Sequence, residues 1–316
     1  MSLIFDALQR SESERSGVDL SALAAATEVL ERAELHAVSQ RETTIRGEQP
    51  QPAATAAEAP GQSDLLLDSQ RSDVFGQFQS LEVVIPPHNR LVCLTDNESL
   101  AAEKFRFLGI SLQHLRRDRA LKKLLITSTI PQEGKSTVSG NLACALARRT
   151  QQRTLLIEGD VRRPSLSQMF GLGRIPGICE CLQGERDLKK SVYRLEGPGL
   201  WFLPAGIAPK NPLELLQSGK LSAMMEPLTT WFDWIIIDSP PVMPLADTSV
   251  WMRLADGILL VVRQGITEKR QLQRGLDALE PKKMIGALLN GSKRSDRSDY
   301  YYAKAIASPP NEGSKE

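Results

Sequence analysis

The segment Leu124-Leu-Ile-Thr-Ser-Thr-Ile-Pro-Gln-Glu-Gly-Lys-Ser-Thr137 limits the fold of this chain more than any other. An apolar run leads into a loop, and the loop leads through Gly134-Lys135-Ser136 into a helical pattern that lasts to Arg149. A helix entered in this way has unpaired N–H groups in its first turn, and they suit a polyphosphate. On this reading Gly134 lets the backbone approach closely, Lys135 neutralises phosphate charge and Ser136 offers a hydroxyl to Mg2+. Thr129, Glu133 and Thr137 are the remaining loop residues expected to bind nucleotide. The usual loop of this kind has glycine five positions before Gly134, where this chain has Thr129, so the motif is a deviant one.

Five further apolar runs, at 155–157, 200–203, 234–237, 258–262 and 285–289, match the one at 124–126. Short, unbroken apolar runs are what strands covered on both faces require. They alternate with helical stretches such as 267–279, which predicts an α/β fold with a doubly wound, mostly parallel sheet. Asp96 or Asn97 is expected to cap a helix that carries Leu100, Leu108, Leu112 and Leu115 on one face.

Two of the runs end in acids: Glu158 and Asp160 follow the second, and Asp238 follows the fourth. Ligands in open α/β sheets sit beyond the carboxyl ends of strands. An acid closing a buried strand is costly unless it meets a metal or a partner. Any one of the three reads equally well as a turn residue. Together they predict a magnesium-dependent phosphoryl-transfer site shared with Lys135.

Texture divides the chain into three. Residues 1–80, rich in Ala, Ser, Glu and Gln, read as an N-terminal extension and linker, partly helical or disordered. Residues 81–293 hold the strand–helix alternation, and 294–316 read as a flexible C-terminal tail with Pro309-Pro310. Lysine and arginine (39) balance the acids (38), which gives no reason to expect nucleic acid as a partner. Cys93, Cys144, Cys179 and Cys181 form no CxxC pair, and reduced cytosolic thiols fit them best. No apolar run approaches the roughly 20 residues of a spanning helix. The expectation is a cytoplasmic protein, brought to the inner face of a membrane by something else.

From about Glu98 to Gly291 the chain resembles the bacterial tyrosine kinases of capsular and exopolysaccharide synthesis, which have a P-loop architecture of their own. Ser128, Pro131 and Gly134 to Ser136 match that family's Walker A motif. Glu158-Gly-Asp160-Val-Arg162 matches its Walker A′ motif, and Asp238, Pro240 and Pro241 match its Walker B. Tyr300-Tyr301-Tyr302 matches its closing tyrosine cluster.

The resemblance implies ATP and Mg2+ as cofactors and tyrosine as acceptor, the tail tyrosines included; a flexible tail can reach a neighbouring subunit's site, so phosphorylation in trans is expected. Lys135, Glu158, Asp160 and Asp238 would be catalytic, with one A′ acid orienting or deprotonating the incoming hydroxyl. Ser136, Asp160 and Asp238 would hold the metal, while Arg162 and Asn290 would join the nucleotide site. Also implied are a homo-oligomer, a separate membrane-embedded chain-length regulator acting as activator in trans, and a protein tyrosine phosphatase as partner.

Two departures stand out. Glu158 replaces the family's usual Asp, and Gly109 replaces the last Arg of its Glu-x-x-Arg-x-x-Arg self-association motif, of which Glu103 and Arg106 remain. They motivate a second reading, a nucleotide-binding scaffold with weakened catalysis. A third, a positioning ATPase of the partition or septum-placement kind, would need a second lysine five residues before Lys135, where Ile130 stands.

Overall fold

Within a computed structural model, residues 74–86, 89–148, 152–243 and 246–291 are described. All belong to the second of the two units into which the chain divides, Asp68–Glu316. The strands are β1 Gln79–Leu81, β2 Lys123–Ser128, β3 Thr154–Glu158, β4 Tyr193–Leu195, β5 Leu200–Leu203, β6 Trp234–Asp238, β7 Gly257–Arg263 and β8 Met284–Asn290. The longer helices are α1 Leu100–Asp118, α2 Lys135–Ala147, α3 Lys220–Trp231, α4 Asp247–Leu254 and α5 Lys269–Asp277.

One sheet takes the order β1-β4-β5-β3-β6-β2-β7-β8, with every neighbouring pair parallel except β4 with β5. The six expected apolar runs therefore all point the same way, and β3, β6 and β2 lie side by side at its centre. Their carboxyl ends form a single ledge.

Alternation along the strands explains why both faces are covered. Leu125, Leu155, Ile157, Ile235 and Ile237 join one apolar layer with Leu221 and Leu228 of α3 and Trp251 of α4. Leu124, Ile126, Leu156, Trp234 and Ile236 join the other with Leu112 of α1 and Val138, Leu142 and Leu146 of α2. Side chains of a strand leave on alternate faces, so unbroken apolar runs need a layer on each. α2 is buried from Val138 to Leu146, as a helix pressed between sheet and outer helix must be. At Gly109 an added Cβ would stand 3.4 Å from Leu146 Cδ2, so the residue that departs from the family motif lies where α1 meets α2.

Three local details differ from expectation. The cap of α1 is Ser99, whose Oγ accepts from Ala102 N at 3.2 Å. Asn97 is engaged elsewhere, its Oδ1 accepting from Arg106 and Arg148. β1 and β4 add two short strands at one side of the sheet that no apolar run announces. Residues 74–80, assigned above to the extension, pack on the sheet: the Phe75 ring lies 4.9 Å from Trp201 and 5.5 Å from Phe232. The rest of that extension and residues 292–316, with Tyr300, Tyr301 and Tyr302, lie outside the described residues. Among the described residues no helix is long and apolar enough to cross a membrane.

Candidate active site

The loop between β2 and α2 turns on two residues with left-handed backbone, Gln132 (φ 68°) and Gly134 (φ 93°). Gly134 is required twice over, because a Cβ there would also stand 2.1 Å from Asn290 Nδ2. Such a turn at a helix start gathers N–H groups into an anion-binding concavity.

Several loop residues expected to face a nucleotide are used by the protein itself. The buried Glu133 carboxylate accepts from Ile130 N at 2.8 Å, from Arg263 N at 3.4 Å and from the Thr267 hydroxyl. Asn290 Nδ2 donates to Glu133 O at 2.8 Å, and Arg263 Nη1 donates to Gln132 O at 3.0 Å. Glu133 and Asn290 thus brace the loop against the ends of β7 and β8. The Thr129 side chain lies against Gly275 of α5, and its Oγ1 has no hydrogen-bond partner among the described residues. Thr137 is half-buried, with its carbonyl accepting from Asn141 Nδ2 at 2.8 Å.

Four expected site residues do come together. Lys135 Nζ stands 3.1 Å from Asp160 Oδ2 and 3.4 Å from Ser136 Oγ. Asp238 closes β6 with its carboxyl fully buried, and its Oδ1 accepts from Ser139 Oγ at 3.1 Å. Among the described residues Asp238 Oδ2 has no hydrogen-bond partner. Burial pushes the Asp238 carboxyl up to about 6, although Lys135 and the hydroxyls of Ser136 and Ser139 pull it back. Burial also works against the charge on Lys135, but Asp238, Asp160 and Glu158 outweigh it and hold the ammonium above its ordinary value.

An orphaned buried carboxylate oxygen near a lysine and a serine fits a magnesium ion carrying its own waters and phosphate oxygens. That ion binds through one or two carboxylates rather than a full protein cage. No cluster of three or more His, Cys, Asp or Glu suited to a metal occurs among the described residues.

Glu158 and Arg162 have other partners. Glu158 is 1% exposed and accepts from Ser167 N at 3.0 Å, Ser167 Oγ at 2.6 Å and Ala205 N at 3.1 Å. Arg162 makes a two-pronged pair with Asp247, through Nε at 2.6 Å and Nη2 at 3.1 Å. Sequence reasoning missed Ser167, Asp247 and Trp251, whose indole N–H donates to Gly159 O at 3.1 Å. An acid opening the helix after Pro240-Pro241 was the one available signal, and it pointed to Asp247 alone.

No family model matches the chain. It is 33% identical over 214 residues to the tyrosine-protein kinase YwqD of Bacillus subtilis (strain 168), covering 67% of this chain and 90% of that protein. To the putative tyrosine-protein kinase EpsB of Ralstonia solanacearum it is 37% identical over 161 residues, 51% of this chain but 21% of that longer protein. Among solved structures, the kinase domain of the Escherichia coli tyrosine kinase ETK superposes with a TM-score of 0.62 at 29% identity, covering 67% of this chain and 83% of that domain.

Proposed function

This chain belongs to the bacterial tyrosine-protein kinases, and from that premise we propose that it moves the γ-phosphoryl group of ATP to tyrosine hydroxyls, those of Tyr300, Tyr301 and Tyr302 among them. The observation that carries the proposal is the convergence of Lys135, Asp160 and the unpartnered Asp238 Oδ2 beyond three adjacent strands. The tyrosine oxygen forms a bond to phosphorus as the bond to the β–γ bridging oxygen breaks, and ADP leaves with that electron pair. Lys135 and the N–H groups of the loop hold the phosphates, and one of the two acids of the 158–162 segment orients the incoming hydroxyl and receives its proton. Ser136, Asp160 and Asp238 would hold Mg2+, which when bound offsets charge on the phosphates. Phosphoryl transfer asks mainly for such positioning and charge stabilisation.

The tail supports the acceptor assignment. Gly291 follows Asn290, which touches the phosphate loop, so residues 292–316 depart from the site itself. From there the nine residues to Tyr300 span at most about 30 Å when extended. The proposal extends to control of capsular or exopolysaccharide synthesis or export, in the cytoplasm at the inner face of a membrane. It includes a separate membrane-embedded chain-length regulator as activator, self-association and a phosphatase that resets the tail.

The test is mass spectrometry of the tail after incubation with Mg-ATP and the cytoplasmic segment of a candidate activator. Wild type is expected to carry label on the tyrosine cluster, Lys135→Ala at least about a hundredfold less. Replacing all three tyrosines with phenylalanine should remove most of the label. An unlabelled wild type that still binds ATP would instead support the weakened scaffold, a second reading favoured by the three donors that occupy Glu158.

A further inference from the structure

We infer that Asp247 and Trp251, one turn apart on α4, are positioning residues that set the place of the Asp160 carboxylate without touching it. The inference rests on the kinase reading only for its activity readout.

Asp160 sits in a short segment, 158–162, pinned on both sides by one helix. On the near side, Gly159 is trapped between two elements. Its N–H donates to Asp238 O at 2.8 Å, and its carbonyl accepts from Trp251 Nε1 at 3.1 Å. A Cβ at residue 159 would lie 2.9 Å from both Asp238 O and the Trp251 ring, so the indole and β6 close on it like a vice. On the far side, the Arg162 guanidinium is fixed by both oxygens of Asp247, whose side chain is 1% exposed. Between the two anchors Asp160 has little freedom, and its own Oδ1 tightens the turn by accepting from Arg163 N at 3.0 Å.

The geometry of α4 makes this a single device. Residues four apart on a helix share a face, so Asp247 and Trp251 present their anchors together. Between them in sequence, Thr248 Oγ1 is within 2.9 Å of Pro240 O and 3.1 Å of Pro241 O, which ties the end of β6 to the same helix. Both acid segments of the site are therefore registered against one rigid two-turn element. A displacement of about 1 Å at a reacting group can cost about a hundredfold in rate.

A rival explanation is local. Asp247 opens α4, where an acid also favours the positive end of the helix dipole. In that case Arg162 would be incidental, and removing it would add to the effect of removing Asp247.

The experiment uses the full chain and the variants Asp247→Asn, Trp251→Phe, Arg162→Gln and the Asp247→Asn/Arg162→Gln pair. Hydrogen exchange is read first, on nucleotide-free protein. Peptides covering 158–164 should exchange about tenfold faster in each variant, with β2 and β7 unchanged. For tyrosine phosphorylation kcat should fall roughly ten- to a hundredfold, with KM for ATP within about threefold of wild type. The double variant should lose no more than its worse single parent, because the partners act as one unit. Unchanged exchange over 158–164, or losses that multiply in the double variant, would overturn the assignment. Faster exchange in β2 and β7 as well would overturn it too, since it would mark general loosening of the fold. Phosphorylation is assayed with the activator segment present, and a wild type that still makes no phosphotyrosine would sink the kinase reading and leave the exchange data to decide this one.

Discussion

Glu158 and Asp238 stand opposite each other in register on neighbouring strands, and both are buried, but their surroundings differ. The Glu158 carboxylate accepts three hydrogen bonds from Ser167 and Ala205. Asp238 accepts one from Ser139, and its second oxygen, with the Ser136 hydroxyl nearby, has no hydrogen-bond partner among the described residues. A carboxylate with several donors is comfortable when charged. One short of donors in a dry place gains most from whatever cation or donor arrives. The contrast assigns the two acids different work. Asp238 is left available for a bound ion, while Glu158 latches β3 to the start of the helix Leu166–Met169 and to the loop after β5. The extra methylene of Glu158 lengthens the reach of a group that the family usually makes as aspartate.

The largest effect should come from Asp238→Asn, which removes charge and leaves the shape. Phosphotyrosine formation is expected to fall by roughly a hundred- to a thousandfold. Folding stability should move the other way in metal-free protein. The folded carboxyl titrates at about 6 against an ordinary 3.8. A raised folded value favours the folded state below the ordinary value, and that advantage is lost as pH rises through the folded one. The loss approaches something on the order of 3 kcal/mol by neutral pH. Asparagine has no proton to lose, and Lys135 keeps Asp160 as a counter-charge. Urea unfolding with EDTA should therefore find Asp238→Asn more stable than wild type at pH 7.5, with the gap closing toward pH 4. A variant less stable at pH 7.5 would break the contrast at its root.

Why the sequence pointed to these two acids and yet could not separate them is a matter of direction. Periodicity and apolar runs were enough for the six parallel strands from β5 to β8 across the sheet, for the loop at Gly134 and for acids at strand ends. They also place Lys135, Asp160 and Asp238 within reach, since parallel neighbours bring their carboxyl ends together. What they leave open is where a side chain points. Thr129, Glu133 and Asn290 belong to the loop or its rim, and the fold turns all three to bracing or packing. Arg162 finds Asp247, 85 residues away, a pairing no local pattern encodes. The outlying strands β1 and β4 have three residues each, too few for a run or an alternation to register. At the start of α1, Asp96, Asn97 and Ser99 are all good caps by residue type, and only the packing of Arg106 and Arg148 on Asn97 decides among them.

Glu158→Gln tests the other half of the contrast. It keeps one acceptor oxygen but sets an NH2 group against donors that need an acceptor. Destabilisation of about 1–3 kcal/mol is expected, the usual cost of leaving buried polar groups unsatisfied. Activity should drop by no more than about tenfold, as for a group that acts through the shape of its surroundings. Stability comes from denaturant unfolding and activity from tail phosphorylation. A loss of activity matching that of Asp238→Asn, with stability near wild type, would place Glu158 among the groups that meet the phosphate or the tyrosine.

Ser167→Ala is the mildest and most discriminating change. It deletes only the hydroxyl that donates to Glu158 at 2.6 Å and leaves the two backbone donors in place. A single hydrogen bond contributes about 0.5–1.5 kcal/mol, so stability should fall by about that much, less than for Glu158→Gln, while the phosphorylation rate stays within about threefold. If Glu158 is a latch, adding Ser167→Ala to Glu158→Gln should cost little further stability, because both changes break the same contact. If instead the hydroxyl holds Glu158 poised for chemistry, Ser167→Ala alone would lower the rate and shift its pH profile with hardly any change in unfolding. Those two results cannot both occur, so this one serine decides whether the buried glutamate holds the fold or takes part in the reaction.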